Sequence, residues 1–451
     1  MGLDSLGNVA TRVPPDRFEA AGIPVPPGQL WAMMLDTKRT WDDLVIRFAA
    51  DEAQARRILD NHYYQQISSA IIYSRWLSWS RLATMRAFLF SVLLLAIAHP
   101  RGTAQTRPEP DLEALPFAPR QFVCYRPSGS LTIDGRLDEP SWKAAAWTAP
   151  FVDILGDRAP QPRFATRAKM LWDDDYFYFG ADLEEPHLWA TLTARDSVIF
   201  QDNDFEIFID PDGDTHNYYE LEINALATVW DLMLVQPYRD GGPAIHAWDI
   251  AGLKAAVNAR GTINRPDDRD DGWSVEIAIP WRIIDEAAPG RRTPRAGDRW
   301  RVNFSRVQWQ LDVDGNRYVK RRTTAGDKPL PEDNWVWSPQ GAVNMHMPER
   351  WGIVQFADAS AGTRTVAFDE DPNDRVAWAL RRLYYRQRQQ LSSAGRYARR
   401  LDALDADAIA VAGLEFKPSM QGTDTMYEIS ATGFGGAVVH IRQDGKVWLT
   451  K

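Results

Sequence analysis

Short segments in which apolar and polar residues alternate fill the middle of the chain. The clearest are 166–172, 176–182 and 300–307, each bounded by residues that favour turns. Alternation with a period of two places apolar side chains on one face of a strand. Helical periodicity is almost absent between residues 121 and 358, apart from a turn near 281–286. This region is therefore predicted to be an all-β, antiparallel sandwich.

Five further segments of this region are predicted to be strands because they are rich in β-branched and aromatic residues. They are 205–209, 218–223, 228–234, 273–279 and 351–356. The second and third are close enough along the chain to pair as a hairpin. Pro280 ends the fourth, because proline cannot donate to a ladder in the middle of a sheet.

The pattern changes after a polar linker, residues 359–375. Apolar residues then recur at helical spacing, at Val376, Leu380, Leu383 and Tyr384. Gly395 ends this predicted helix, since glycine adopts the left-handed conformation that terminates helices. The strands predicted after it are 426–431, 436–442 and 446–449. Residues 376–451 are thus predicted to form a small α+β tail.

An uninterrupted apolar run, residues 87–98, precedes the sandwich. Its length is short for a helix that crosses a bilayer but suits the core of a secretory signal. Arg81 and Arg86 lie before it, and the small residues 102–104 follow it. Cleavage after these small residues would leave Gln105 as the first residue of the mature protein.

We interpret residues 85–104 as a signal peptide that starts at Met85, and residues 105–120 as a Pro-rich linker. Two interpretations of residues 1–84 stay open. Translation starts at Met85 in the first. In the second, residues 1–84 are a translated, helical extension and the apolar run is a short anchor. Both predict a secreted or periplasmic protein whose membrane contact is confined to this segment.

Composition narrows the classes of function. The formal net charge of −9 argues against nucleic acid as a partner, because that binding needs clustered Lys and Arg. Cys124 is the single cysteine, so an intramolecular disulfide is impossible. The 19 tryptophans suit either a hydrophobic core or the apolar face of a sugar.

Six motifs resemble, in the same order, those of family 9 carbohydrate-binding modules. They are 133–142 (IDGRLDEPSW), 171–178, 204–210, 272–281, 303–304 and 337–352. The resemblance covers about 220 to 230 residues of the predicted sandwich, residues 121–358. It implies a β-sandwich related to DOMON-type modules, a glycan or oligosaccharide as partner, and binding rather than catalysis.

The resemblance also implies a sugar site made of two rings, an acid and an arginine. The acid falls on Glu206, and the rings fall on Phe200 and Met345. The arginine falls on Glu222. Of the four positions, the acid is therefore kept at Glu206, one ring is replaced by the ring of Phe200, and the other two side chains are lost at Met345 and Glu222. Neighbouring candidates for further contacts are Trp335, Trp337, His346, Trp230 and Tyr219.

Asp210, Asp212 and Asp214 place three carboxylates around Gly213. Oxygen ligands suit calcium, and the resemblance implies structural calcium, so these residues are predicted to hold that ion. The alternative is a solvated turn, since Asp and Gly favour turns by themselves. The Glu that completes an EF-hand loop is missing at the required spacing.

Sequence patterns typical of catalysis are missing. The chain has no nucleophile elbow, zinc-binding His pair or phosphate loop. Glu220 and Glu222 share one strand face, whereas glycoside hydrolysis needs carboxylates that flank a cleft. We therefore predict an exported carbohydrate-binding protein that contacts glycans in polysaccharide breakdown, and not an enzyme. The alternatives are a structural or surface-interaction sandwich that has lost its sugar clamp, and a module that holds haem non-covalently through residues 345–347.

Overall fold

Strands dominate the residues that the structure describes. This computed structural model describes residues 112–326 and 328–451, all within the unit Arg107–Lys451. The predicted signal sequence and the segment before it lie outside the described residues. Among the helices of the described part, none is both long and apolar enough to cross a membrane.

The strands of the sandwich, in chain order, are β1 (Gln121–Arg126), β2 (Val152–Asp153), β3 (Thr166–Trp172), β4 (Tyr176–Leu183), β5 (Asp204–Asp210), β6 (Tyr218–Asn224), β7 (Val229–Leu234), β8 (Ala244–Ile245), β9 (Lys254–Arg260), β10 (Gly272–Pro280), β11 (Arg299–Gln308), β12 (Leu311–Asp314), β13 (Arg317–Lys320), β14 (Asp333–Val336) and β15 (Gly352–Ser360). Two short helices interrupt them, α1 (Pro140–Ala144) and α2 (Trp281–Ile284). The predicted strands are all present, most with ends within two residues of the prediction.

Two sheets share strand β1, while β12 and β13 pair with each other in a separate two-stranded sheet. The first has the order β8-β7-β6-β5-β11-β15-β1, with β14 paired to β11 and β2 paired to β14. The second has the order β1-β3-β4-β10-β9. Neighbours are antiparallel except around β1, which is parallel to both β15 and β3. The predicted all-β sandwich is confirmed, with these two parallel pairs as an addition to the antiparallel pattern.

Aromatic rings fill the space between the sheets. Phe179 of β4 meets Phe304 of β11 edge to face, with ring centroids 5.8 Å apart. Trp172 of β3 meets Phe356 of β15 in the same way at 5.3 Å. Because only alternate residues of each strand point into this layer, the core produces the period of two seen in the sequence.

The C-terminal tail consists of α3 (Asn373–Ala394) and a sheet of four antiparallel strands, β16 (Ser419–Gly422), β17 (Tyr427–Thr432), β18 (Val438–Arg442) and β19 (Val447–Thr450). Gly395 has a φ of 70° and ends the helix as predicted. The apolar residues of the predicted helix face are buried against β17 and β18. Strand β16 was not predicted, because its sequence lacks an apolar alternation.

One buried carboxylate connects two segments that are far apart in the sequence. Glu276 of β10 accepts hydrogen bonds from the backbone N–H groups of Asp134 and Gly135, at 2.9 and 2.8 Å. It also accepts one from the indole N–H of Trp142, at 2.6 Å. The segment 133–142 is thereby fixed across the outer face of the second sheet.

We expect Glu276→Ala to lower the free energy of unfolding by about 3 kcal/mol, because three donors lose their buried acceptor. Urea unfolding followed by tryptophan fluorescence measures the change. Asp138→Ala, which removes an exposed carboxylate from the same segment, serves as the control and should stay within about 0.5 kcal/mol of the parent. Equal stabilities of the two variants would contradict the assignment.

Candidate functional site

The outer face of the first sheet carries four carboxyl groups at adjacent positions. Asp204 and Glu206 belong to β5, and Glu220 and Glu222 belong to β6; the apolar residues between them point into the core. Glu206 and Glu222 lie directly opposite each other in the β5–β6 register. None of the four is more than 6% exposed, so this face of the sheet is not an open surface.

A layer of aromatic and apolar side chains covers the same face. Phe200, from a short 3-10 turn before β5, is half-buried and lies 6.4 Å from the ring of Trp230. Trp230 stacks almost parallel on His246 at 5.6 Å. The backbone N–H of Phe200 donates to Oε2 of Glu222 at 2.9 Å, which holds the turn against the acids. Met345 packs against the same cluster from the loop before β15.

Burial disfavours the charged form of these acids. It raises the pKa of Glu206 to about 7 and the pKa values of Asp204, Glu220 and Glu222 well above their ordinary range. Repulsion from Glu206 raises the pKa values of the other three further. Among the described residues, no Lys, Arg or His side chain forms an ion pair with any of the four.

The structure brings several of the predicted sugar contacts together. Phe200, Glu206, Glu222 and Met345 all contribute to this face or to its cover. Asp204 and Glu220 also belong to it, although they were not predicted as site residues. The alternation of acids along 204–206 and 220–222 is the signal that could have identified them.

His346 lies at the edge of this cover. Its Nδ1 is 3.1 Å from the hydroxyl of Tyr218, and its ring contacts Phe208 and Tyr238. Burial, with the nearby Arg239 guanidinium, lowers the pKa of His346 to about 3, so the imidazole is neutral at physiological pH. The haem hypothesis needs axial ligands from residues 345–347. His346 already contacts Tyr218 through Nδ1, and the Met347 side chain is buried.

Trp335 and Trp337 require a correction. They are 3% and 1% exposed and belong to the core between the sheets, so their rings are not available to a sugar. A Cβ at Gly352 would lie 2.3 Å from the Trp337 ring, which explains why glycine stands there. Tyr219 is likewise buried in the core.

The predicted calcium loop follows β5 directly. One oxygen from each of Asp210, Asp212 and Asp214 lies within 4.8 Å of the other two, a donor set that fits a hard cation. The Asp210 carboxylate also accepts the backbone N–H groups of Gly213 and Thr215. However, the ammonium of Lys446, from the C-terminal tail, lies 2.6 Å from Asp214 Oδ2. A positive charge of the chain itself therefore already faces this loop.

A separate groove of about 440 Å³ lies on the outer face of the second sheet. Its lining includes the half-buried Trp147 together with Asp182 and Arg260, which pair at 2.8 Å. The Arg167 guanidinium lies over the Trp147 ring at 4.0 Å. Arg136, Leu137, Asp138 and Ser274, which also line the groove, belong to two of the family-like motifs, but none of the lining residues was predicted as a sugar contact.

Residues 133–318 match a family model described as carbohydrate family 9 binding domain-like. Among curated proteins, the exoglucanase XynX of Acetivibrio thermocellus is 27% identical over 258 residues, which are 52% of this chain and 21% of that protein. The endo-1,4-beta-xylanase A of Thermoanaerobacterium saccharolyticum is 26% identical over 156 residues, 35% of this chain and 11% of that protein. The chain thus spans about a fifth or less of these relatives' length.

Two solved structures are also similar. One is a family 9 carbohydrate-binding module from Caldicellulosiruptor kristjanssonii in complex with cellotriose, with 16% identity, a TM-score of 0.34, and coverage of 55% of this chain and 100% of that chain. The other is a putative carbohydrate-binding protein from Bacteroides uniformis, with 15% identity, a TM-score of 0.39, and coverage of 53% and 100%. The family match spans Phe200, Glu206 and Glu222 but ends before Met345.

Proposed function

We propose that this chain, whose central domain is a family 9-like carbohydrate-binding domain, is an exported protein that holds a glycan during polysaccharide breakdown. The matched region is a binding domain and not a catalytic one. The observation that carries the proposal is the match to a carbohydrate-binding family over the strands that bear Glu206 and Glu222.

The face around Phe200 is where we place the glycan. A half-buried ring keeps part of its surface in solvent, and such a surface can stack on the apolar face of a pyranose. Glu206 lies on the same face, one strand away from the Glu222 carboxylate that accepts the Phe200 N–H. Carboxylates form strong hydrogen bonds with sugar hydroxyls when both are removed from bulk water, and a glycan has to displace part of the cover around Phe200 to reach Glu206.

The names of the relatives guide the choice of ligand. They include an exoglucanase and two endo-1,4-beta-xylanases, although the chain covers only a small share of each. We therefore propose glycans of the cellulose and xylan classes as the first ones to screen on a glycan array with the full chain.

We expect Phe200→Ala to weaken binding of the best glycan by about 1–2 kcal/mol, roughly five- to thirtyfold in Kd, because a stacking ring is lost. Glu206→Gln should weaken it more than Glu222→Gln, since Glu206 is the acid that the family resemblance assigns to the ligand. Titration calorimetry measures both effects.

Trp147→Ala is the matched control for this experiment, because it removes a half-buried ring from the outer face of the other sheet. It should leave the Kd unchanged. Loss of binding in Trp147→Ala with none in Phe200→Ala would move the glycan to the second sheet. Binding to no glycan at all would favour the surface-interaction alternative.

We propose that export uses the segment that begins at Met85. This proposal is supported by the order of positive, apolar and small residues in the sequence, which is typical of a secretory signal. N-terminal sequencing of the protein from the periplasm or medium of its native host should give Gln105 or a residue within a few positions. Peptides from residues 1–84 in the mature protein would contradict this prediction.

We also propose a structural calcium ion at Asp210, Asp212 and Asp214. Calcium has to compete with Lys446 there, so Lys446→Met should bind calcium at least tenfold more tightly than the parent. An ion that binds only the folded chain stabilises it, so the Tm should rise with calcium and fall with chelator. Asp212→Asn is the control that should abolish the effect at this loop. Identical calcium responses in the parent, Lys446→Met and Asp212→Asn would leave the solvated turn as the explanation.

A further inference from the structure

The four buried acids of the first sheet lack a counter-charge. Asp204, Glu206, Glu220 and Glu222 are nearly inaccessible to solvent, and no basic side chain of the described residues pairs with them. Burial of unpaired carboxylates is costly, so buried acids are normally neutralised by a proton, a base or a metal ion. The sandwich must therefore neutralise this cluster with something other than its own Lys or Arg side chains.

Three of the four acids converge on one point. One oxygen each from Asp204, Glu206 and Glu222 lies within 4.8 Å of the other two. Oxygens bound to one calcium ion, each 2.3–2.6 Å from it, have similar mutual separations. Oε2 of Glu222 accepts the Phe200 N–H, and Oδ1 of Asp204 accepts the Val307 N–H at 3.1 Å. Both acids are therefore held in place by a backbone N–H group.

One polar atom at this point has no partner. Oδ2 of Asp204 is buried and forms no hydrogen bond within the described residues. Ser305 of β11 lies directly opposite Glu206 in the β11–β5 register, so its buried hydroxyl is on the same face of the sheet and interacts with the Glu206 carboxyl group. Buried polar atoms are almost always partnered in folded proteins, so Oδ2 of Asp204 indicates a missing ligand.

We propose that Asp204, Glu206 and Glu222 bind a divalent cation of the calcium class, with the Ser305 hydroxyl as a neutral ligand. Only oxygens converge here, which suits a hard ion, and calcium tolerates the irregular geometry that three carboxylates from two neighbouring strands impose. The cation supplies the positive charge that the chain does not. This site is separate from the Asp210–Asp214 loop, where Lys446 already supplies one.

A small ion fits the degree of burial better than a larger cationic ligand. The four acids are between 0 and 6% exposed, and Phe200 and Trp230 lie over them, so an amine-bearing ligand would have to displace this cover. A carboxyl group has to lose its proton before it can bind the ion. Protons and the cation therefore compete for the same oxygens.

The test is calcium binding to the full chain in sugar-free buffer, measured by titration calorimetry at pH 8 and pH 5. Glu222→Gln and Asp204→Asn keep the shapes and the oxygens that accept the Phe200 and Val307 N–H groups, but each removes one ligand charge. We expect each to weaken calcium binding at this site at least tenfold. Asp212→Asn, the matched control at the other loop, should retain it.

A second measurement separates an ion from protons. Calcium binds deprotonated carboxylates, so its stabilising effect on the folded chain grows as pH rises. Calcium should therefore raise the Tm of Asp212→Asn strongly at pH 8 and weakly at pH 5. Glu222→Gln relieves the repulsion, so it should be at least as stable as the parent at pH 8 without calcium, which shows that it folds.

Three results would overturn the proposal. Calcium binding to Glu222→Gln and Asp204→Asn as tight as to the parent would place the ion elsewhere. Loss of all calcium binding in Asp212→Asn would assign the ion to the loop alone. Absence of binding in the parent at both pH values would show that protons alone neutralise the cluster. None of these results depends on whether a glycan binds, so the proposed function stands or falls separately.

Discussion

Both faces of strands β5 and β6 are removed from water, and the rest of the molecule is organised around this constraint. Their inner residues enter the aromatic core between the sheets, and their outer residues lie under Phe200, Trp230 and the loop before β15. In an ordinary antiparallel sandwich, the outer face is solvated and its polar residues need no partners. Here a third layer covers that face, so every polar group on it has to be satisfied inside the protein.

The C-terminal tail holds part of this third layer in place. Glu349, in the loop before β15, accepts hydrogen bonds from Arg239 and from the hydroxyl of Tyr385 on α3. Burial alone would raise the pKa of Glu349, but the guanidinium groups of Arg239 and Arg381 bring it to about 2. Glu349 and Glu206 are thus both buried, yet one is held charged by arginines while the other has no cation beside it. The two acids are buried to a similar degree, so the difference between their pKa values comes from the charged partners of Glu349.

The sequence predicts the strands and the long helix well, and predicts less well what covers them. A period of two separates the two faces of a strand such as β11, and the helical spacing up to Gly395 identifies α3 without tertiary information. Neither pattern tells which neighbouring element lies on a face. The sequence therefore predicts a ring available to a sugar at Trp337, whereas the chain after the pairing of β14 with β11 carries this ring into the core. The burial of Glu206 and Glu222 is not predicted for the same reason, since it depends on how the turn at Phe200, Trp230 of β7 and the loop that carries Met345 pack together on this face.

The abundance of tryptophan follows from the layers and is not itself evidence for sugar binding. Trp142, Trp172 and Trp300 are among the largest fully buried side chains, and they fill the spaces on either side of the sheets. A ring can serve a ligand only where one of its faces stays in solvent. Phe200 and Trp147 are both half-buried, but the Trp147 ring already carries the Arg167 guanidinium at 4.0 Å and the Lys169 ammonium at 4.3 Å. In the described part of the chain no cation lies over Phe200, so stacking on Phe200 requires no displacement of a charged group and favours the first sheet as the binding face.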